Sequence, residues 1–192
     1  YKRSHDLKGK DYFFMAKYCI PKSQEKEYLE VLEGDRLIVI PDEDDGDIVK
    51  KRNWILRNVE RPLIMIDDDV KNLVYWDNRK DNYLSKEYPS SLLPQLFDGF
   101  VDMAKGFGVR LFGLAQNKDD RTFKEHTPFN LSNITLGPFQ GHLKHDLFFD
   151  ERVGTKDDYD MCLQQLQKHK KVLRLNKFAY SCEHGDNKGG IV

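Results

Sequence analysis

The sequence predicts an α/β layered domain, and three observations predict it. Strand-like apolar runs alternate with segments of helical period along the chain. Aromatic residues make up 12% of the 192 positions beside 33% charged residues, a core-forming composition with a wet surface rather than a disordered one. No internal repeat, low-complexity tract or Gly/Pro/Ser linker divides the chain, so a single domain over 1–192 is expected. A chain of this length buries roughly 70% of its unfolded surface without staples.

The elements follow in order. Tyr12–Tyr18 is aromatic and predicts a first strand, and Ile20-Pro21-Lys22-Ser23 a turn. Ser23 is a candidate cap for a helix reaching about Leu32, which Gly34 ends. Arg36–Ile40 predicts a buried strand, and 41–47 an acidic loop whose Asp47 caps the next helix. That helix carries Ile48, Val49, Ile55, Leu56 and Val59 on one face, and Arg52 falls on the same face. Pro62–Ile66 predicts another buried strand, running into Asp67-Asp68-Asp69.

Residues 77–88 are polar and predict a loop. Ser90 or Ser91 starts a helix with Leu93, Leu96, Phe97, Phe100, Met103 and Phe107, and Gly106 near its end. Val109–Leu114 predicts a strand, 117–128 a polar loop, and 131–143 a strand-like stretch broken at Gly137-Pro138 and Gly141. Asp157–His169 predicts a helix, Val172–Tyr180 a strand, and the last dozen residues a flexible tail.

Composition excludes several functions. Lys plus Arg is 31 and Asp plus Glu 32, a net charge of −1, so no uniformly basic nucleic-acid coat is present, although a local stripe stays open. Cys19, Cys162 and Cys182 are odd in number and lack metal spacing; they read as reduced thiols of an intracellular rather than a secreted protein. No apolar run approaches the ~20 residues of a membrane helix, so no membrane partner is expected. No signal peptide is recognisable, and the start at Tyr1 leaves room for an upstream segment.

The sharpest chemical feature is Asp67-Asp68-Asp69 at the carboxyl end of a buried strand, where α/β sheets gather ligands. Three adjacent carboxylates repel, and a hard divalent cation such as Mg²⁺ or Mn²⁺ relieves that repulsion while bridging to phosphates. Alternation puts Asp67 and Asp69 on one side and Asp68 on the other. A solvated acidic turn is the bland alternative. Arg52 on an apolar helix face requires an anion or carboxylate, or else snorkels to water. Asp157, Asp158 and Asp160 in a first helical turn suit either dipole capping or a general base. His184 gains meaning only if it folds back toward Asp69.

Other patterns fail. Residues 41–52 resemble a calcium loop around Gly46, but Pro41 and Arg52 occupy its first and last ligand positions. His142-x-x-His145 followed by Asp146 lacks the zincin motif and reads as ordinary polar structure. No P-loop, GxSxG or dinucleotide glycine fingerprint is present.

In this order the pieces resemble a glycosyltransferase of the GT-A fold, a central mixed sheet flanked by helices. The resemblance implies a donor nucleotide and metal half over about 12–108 and an acceptor and base half over about 109–186. Asp67-Asp68-Asp69 matches the DxD motif, which implies metal ligands Asp67 and Asp69 and donor contacts from Asp67 and Asp68. Pro21, Lys22 and Ser23 match the loop around the donor nucleotide. Arg52 and Asn53 match a helix pair facing the donor sugar or diphosphate. Asp157-Asp158-Tyr159-Asp160 resembles the late acidic motif, with Asp158 the first candidate base and Asp157 and Asp160 the alternates; its first acid is Asp where Glu is usual. His184 matches the late histidine completing the metal site.

The chain is more closely similar to the TET/JBP-associated glycosyltransferases of phages and kinetoplastids. The Ile-Pro-Lys-Ser-Gln, Lys-Arg-Asn-Trp-Ile, Asp-Asp-Asp and Asp-Tyr-Asp-Met segments carry that similarity over about 12–186. It implies transfer of a hexose from a nucleotide sugar, UDP-glucose foremost, to a hydroxymethylated pyrimidine in DNA, with Mn²⁺ or Mg²⁺ and inversion. It also implies a cytoplasmic setting such as a phage-infected host.

A base in duplex DNA must leave the stack to react. Trp76, Phe139 and Gly141 are the acceptor candidates, with Tyr75 and Tyr83 as further stacking residues. Lys118, Arg121, Lys124, Lys168, Lys170, Lys171 and Arg174 are candidate phosphate contacts, each equally a solvated surface charge. The competing functions are a glycan, protein or small-molecule acceptor, a nucleotidyltransferase on the same metal strand, and a non-catalytic binding module.

Overall fold

In a computed structural model, which describes residues 12–77, 84–116 and 123–182, the chain divides into two compact units, Tyr1–Val59 and Glu60–Val192. In the first unit, β1 (Tyr18–Pro21) pairs in parallel with β2 (Leu37–Ile40), Tyr18 opposite Leu37 and Pro21 opposite Ile40. Parallel pairing needs a crossover. It is supplied by a 3₁₀ turn at Lys22–Gln24, the short helix α1 (Glu25–Leu29) and a second 3₁₀ turn at Gly34–Arg36.

The expected strand over Tyr12–Tyr18 is largely a turn. Ala16 N donates to Phe13 O at 2.8 Å, and the Arg36 guanidinium takes the Ala16 and Phe13 carbonyls. Those carbonyls are thereby unavailable to a ladder. The expected turn at 20–23 is corrected too: Ile20 and Pro21 finish β1. Ser23 does not cap; its backbone N–H donates to Asp42 Oδ1 at 2.9 Å, and α1 stops at Leu29, short of Leu32.

Helix α2 (Ile48–Asn58) is capped as expected, Asp47 Oδ1 accepting from Val49 N at 2.8 Å. Its buried face is Val49, Arg52, Asn53 and Leu56, while Ile48 is exposed. The same loop explains the failed calcium motif: Asp42 accepts from Ser23, Asp45 pairs with Lys51, and Asp47 is the cap.

The second unit holds a mixed sheet. Its strands are β3 (Leu63–Ile66), β4 (Val70–Asp77), β5 (Leu84–Glu87), β6 (Leu111–Ala115), β7 (Phe129–Asn130), β8 (Phe139–His142) and β9 (Leu173–Cys182). The order is β3-β8-β6-β9-β4-β5, with β7 on β9. Only β6 and β9 run parallel; the other described pairings are antiparallel.

β4 and β5 replace much of the expected loop over 77–88. Apolar Leu73, Val74 and Trp76 are buried on β4, and the polar β5 is an outer strand tied down by Lys86 to Asp77 at 2.5 Å. Charged outer strands resist further pairing, which is why this segment reads as loop.

Helix α3 (Leu93–Phe107) follows a 3₁₀ turn at Ser90–Leu92 and ends on Gly108 at φ 64°, a left-handed position that glycine adopts without steric cost. Its Phe100 ring lies 5.1 Å from Phe178, 6.4 Å from Phe112 and 6.5 Å from Phe139, fastening the helix to three strands. Met103, expected on the packed face, is exposed. Helix α4 (Asp157–His169) has the expected bounds. Gly141 is no break. It sits within β8, opposite Phe112, where a Cβ would stand 2.0–2.4 Å from that ring.

Candidate functional site

Two elements of the second unit meet at the carboxyl end of β3. After Ile66 the chain makes a turn: Asp67 N donates to Pro138 O at 3.0 Å, and Val70 N donates to Asp67 O at 3.1 Å. Asp67 and Asp69 are half-buried and Asp68 is exposed. The split expected from alternation therefore holds, produced by a turn rather than by an extended strand.

The same dipeptide receives the acidic helix start. Gly137 N donates to Asp158 Oδ2 at 2.9 Å, and Tyr159 N donates to Asp158 Oδ1 at 2.8 Å. Asp158 thus holds a backbone N–H of its own first helical turn and is moored to the turn that holds Asp67. Each oxygen keeps a further lone pair, so the carboxylate is oriented without being used up. Asp157 is buried, and Asp160 Oδ2 accepts from Gln164 Nε2 at 2.6 Å on the next helical turn. Next to them Cys162 is buried, its Sγ donating to Thr135 O at 3.2 Å, which pins α4 to the approach of the Gly137-Pro138 turn.

The last strand completes the group. Cys182 pairs with Val70 and Tyr180 with Leu73. Tyr180 is 1% exposed, and among the described residues its Oη is buried without a hydrogen-bond partner. Burial, then the Cys182, Asp67, Asp158 and Asp69 side chains, push its phenol far above the ordinary value. All three carboxylates thus lie within electrostatic reach of one hydroxyl, and Asp67 and Asp158 are tied to the same Gly137-Pro138 dipeptide. Tyr180 was legible in the sequence only as the end of a strand; the Cys182-Glu183-His184 that follows it was the nearest signal.

The other expected site residues are placed as follows. In the first unit Pro21 ends β1, Lys22 pairs with Glu25, and Ser23 binds Asp42 through its backbone. Arg52 and Asn53 are buried on α2, 5% and 1% exposed. In the second unit Trp76 is buried and stacked on Phe123, centroids 5.9 Å apart and planes 14° apart. Phe139 packs on Phe97 and Phe100, and Gly141 lies under Phe112; both are core positions. His184, Tyr83, Lys118 and Arg121 lie outside the described residues. Lys168 pairs with Asp146, Lys170 donates to Gln167 O, Lys171 to Phe107 O, and Arg174 to Asn176 Oδ1, so each of the four has a partner within the chain.

Among the described residues, no group of three His, Cys, Asp or Glu side chains stands ready to hold a metal ion. Nor is any helix there long and apolar enough to cross a membrane. A family model described as TET-Associated Glycosyltransferase matches residues 5–190. The chain belongs to the TET-associated glycosyltransferase family. The match runs through both units and includes every residue of the acidic group. This TET-associated glycosyltransferase matches no curated protein and no solved structure.

Proposed function

We propose that this TET-associated glycosyltransferase moves a hexose from a nucleotide sugar, UDP-glucose foremost, to the hydroxyl of a hydroxymethylated pyrimidine in DNA by a metal-dependent, inverting single displacement within a GT-A fold. The observation that carries the reading is the mooring of Asp67 and Asp158 to one Gly137-Pro138 turn, with Asp69 half-buried close to Asp67 at the end of β3.

The donor set fits Mg²⁺ or Mn²⁺, which are commonly held by one or two carboxylates together with substrate phosphates; Asp67 and Asp69 would supply those carboxylates, with His184 as a third ligand. When bound, the cation neutralises charge on the departing diphosphate. Asp158 accepts the acceptor's proton as its oxygen bonds to the anomeric carbon. The bond from that carbon to the diphosphate breaks, and the nucleoside diphosphate leaves with the electron pair. One base on the attacking face implies inversion.

The assignment of Pro21, Lys22, Ser23, Arg52, Asn53 and Asp68 to the donor, and of Trp76, Phe139 and Gly141 to the acceptor, rests on the resemblance. Phe139 and Gly141 would act through the walls they build, since both are buried. Three thiols without a disulfide agree with an intracellular setting.

The test is a duplex containing hydroxymethylpyrimidine, incubated with UDP-glucose and Mn²⁺ and read by mass spectrometry. One added hexose, UDP release and an inverted anomer in the product are expected. Pyrophosphate release from a nucleoside triphosphate would reassign the site to nucleotidyl transfer. A product of unchanged anomeric configuration would remove Asp158 as the base of a single displacement.

A further inference from the structure

We propose that Tyr159 is an acceptor-binding residue: its ring is the face on which the pyrimidine of the acceptor strand stacks, and Lys156 beside it meets that strand's phosphate. This rests on the DNA-acceptor part of the function proposed above and deepens it by naming the contact.

The first ground is position. Tyr159 follows Asp158 in the first turn of α4, and its backbone N–H donates to Asp158 Oδ1 at 2.8 Å. Consecutive Cα atoms are about 3.8 Å apart. The ring is therefore rooted one residue from the carboxylate assigned to take the acceptor's proton, and a base whose hydroxymethyl group reaches Asp158 comes within its span.

The second ground is exposure. A base taken out of its stack needs an open π-face to lie on. The acceptor aromatics expected from sequence do not offer one: Phe139 is 0% and Trp76 2% exposed, and Trp76 is already stacked on Phe123. Tyr159 is 40% exposed. Leu163, one turn further along the same face of α4, is 58% exposed and extends the apolar surface beyond the ring.

The third ground is charge. Lys156 Nζ stands over the Tyr159 ring, 5.2 Å from its centroid. Asp157, Asp158 and Asp160 all lie within four residues, yet among the described residues Lys156 makes an ion pair with none of them. Asp157 is buried, and Asp158 and Asp160 accept from Gly137 and Gln164. The cation stays available to a phosphate. A ring for the base and a cation for the backbone are the two elements of single-strand recognition. Sequence reasoning passes over Tyr159 because it looks like a spacer between acids.

The test is the affinity of the full chain for a single-stranded oligonucleotide bearing one hydroxymethylpyrimidine, read by fluorescence anisotropy. Tyr159→Ala should bind about 5–150-fold more weakly, and Tyr159→Phe, which keeps the π-face, should bind like the parent. Melting temperatures should match the parent's in both, since the side chain is exposed. Lys156→Gln should lower the slope of log affinity against log salt by about 0.7. Parental affinity in Tyr159→Ala, an equal loss in Tyr159→Phe, an unchanged salt slope in Lys156→Gln, a parent that binds no oligonucleotide, or a parental dimer that Tyr159→Ala dissolves would each overturn the proposal. Transfer of a hexose to DNA by a parent whose Tyr159→Ala variant keeps full affinity would sink the stacking role alone. Tyr159-dependent binding without transfer from any nucleotide sugar would sink the glycosyl-transfer reading alone.

Discussion

The β3–β8 ladder carries a polar cluster at each end, and the two are built on opposite electrostatic terms. At the Ile66–Phe139 end stand Asp67, Asp69 and Asp158, half-buried carboxylates around a neutral phenol. At the Leu63–His142 end stand buried imidazoles. His142 Nδ1 and His145 Nε2 are 3.1 Å apart, and Leu147 N donates to His145 Nδ1 at 3.2 Å. A backbone N–H can only donate, so neutral His145 carries its proton on Nε2 and passes a hydrogen bond to His142 Nδ1. Arg61 closes this end by donating to His145 O at 2.6 Å.

Helix α4 joins the two ends. Its first turn supplies Asp158, and about 16 Å further along its axis His169 lies within electrostatic reach of His145. Charge is concentrated where a ligand can neutralise it and suppressed where packing alone must hold. The first arrangement suits chemistry and the second suits stability.

Asp158→Asn tests the acidic end most sharply. The asparagine Oδ1 can still accept from Gly137 N, so the helix mooring survives while the proton acceptor is lost. Transfer should fall about 10²–10⁴-fold, with the donor-induced thermal shift retained. Asp69→Asn should instead weaken metal-dependent donor binding and abolish most transfer. Single-turnover rates and thermal shifts separate the two losses. Parental rates in both variants would erase the contrast between the ends.

Acid tests the histidine end. Burial pushes His145 down to about 4, with Arg61 and His169 acting in the same direction and Asp146 against it. An unfolded histidine titrates near ~6.5. Between those values the unfolded chain binds the proton that the folded chain refuses, so stability falls as pH falls. The loss reaches about 3 kcal/mol by pH ~4. Urea titrations at pH ~7.5, ~5 and ~4 should follow this slope, and His145→Gln should flatten it. Asp150, held down to about 2 by Arg152, titrates below this window. Because the clusters lie far apart, His145→Gln should leave transfer unchanged and Asp158→Asn should leave the acid slope unchanged.

The two ends were unequally legible in sequence. Asp67, Asp69 and Asp158 were legible as carboxylates crowded at a strand end and a helix start, beside the blander readings of a solvated turn and dipole capping. The α4 bounds and the Asp47 cap were legible for the same local reason. Tyr180, the Gly137-Pro138 mooring and the His142–His145 relay were not, because each depends on a partner far along the chain. The β4–β5 pair was missed because its polar outer strand carries charge where a buried strand would carry apolar residues. Tyr12–Ala16 misled because aromatic content imitates a strand when the carbonyls are already committed to Arg36.

Gly141 lies between the ends on β8 and tests the frame that both share. A Cβ there meets the Phe112 ring, which cannot retreat because it packs against Phe100 of α3. Gly141→Ala should therefore cost about 1–3 kcal/mol and lower the melting temperature. Residual transfer, measured well below that temperature, should fall only modestly. A loss of transfer at unchanged stability would instead support the acceptor-wall role and move Gly141 from the frame into the site.

The smallest effect expected is that of Lys168→Gln. Lys168 Nζ lies 2.7 and 2.6 Å from the two Asp146 oxygens, but both side chains are exposed, 45% and 73%. Exposed pairs contribute about 0–1 kcal/mol and are screened by salt, so the direct loss should be small and should vanish in about 0.5 M NaCl. The indirect effect has a definite sign. Asp146 already pulls His145 upward, and Lys168 partly cancels that carboxylate; without the lysine, His145 rises from about 4 toward its ordinary value. The gap between folded and unfolded histidine then narrows, and the acid slope becomes shallower. An unchanged slope in Lys168→Gln would show that Asp146 does not act on the imidazole and that burial and the neighbouring cations govern the histidine end.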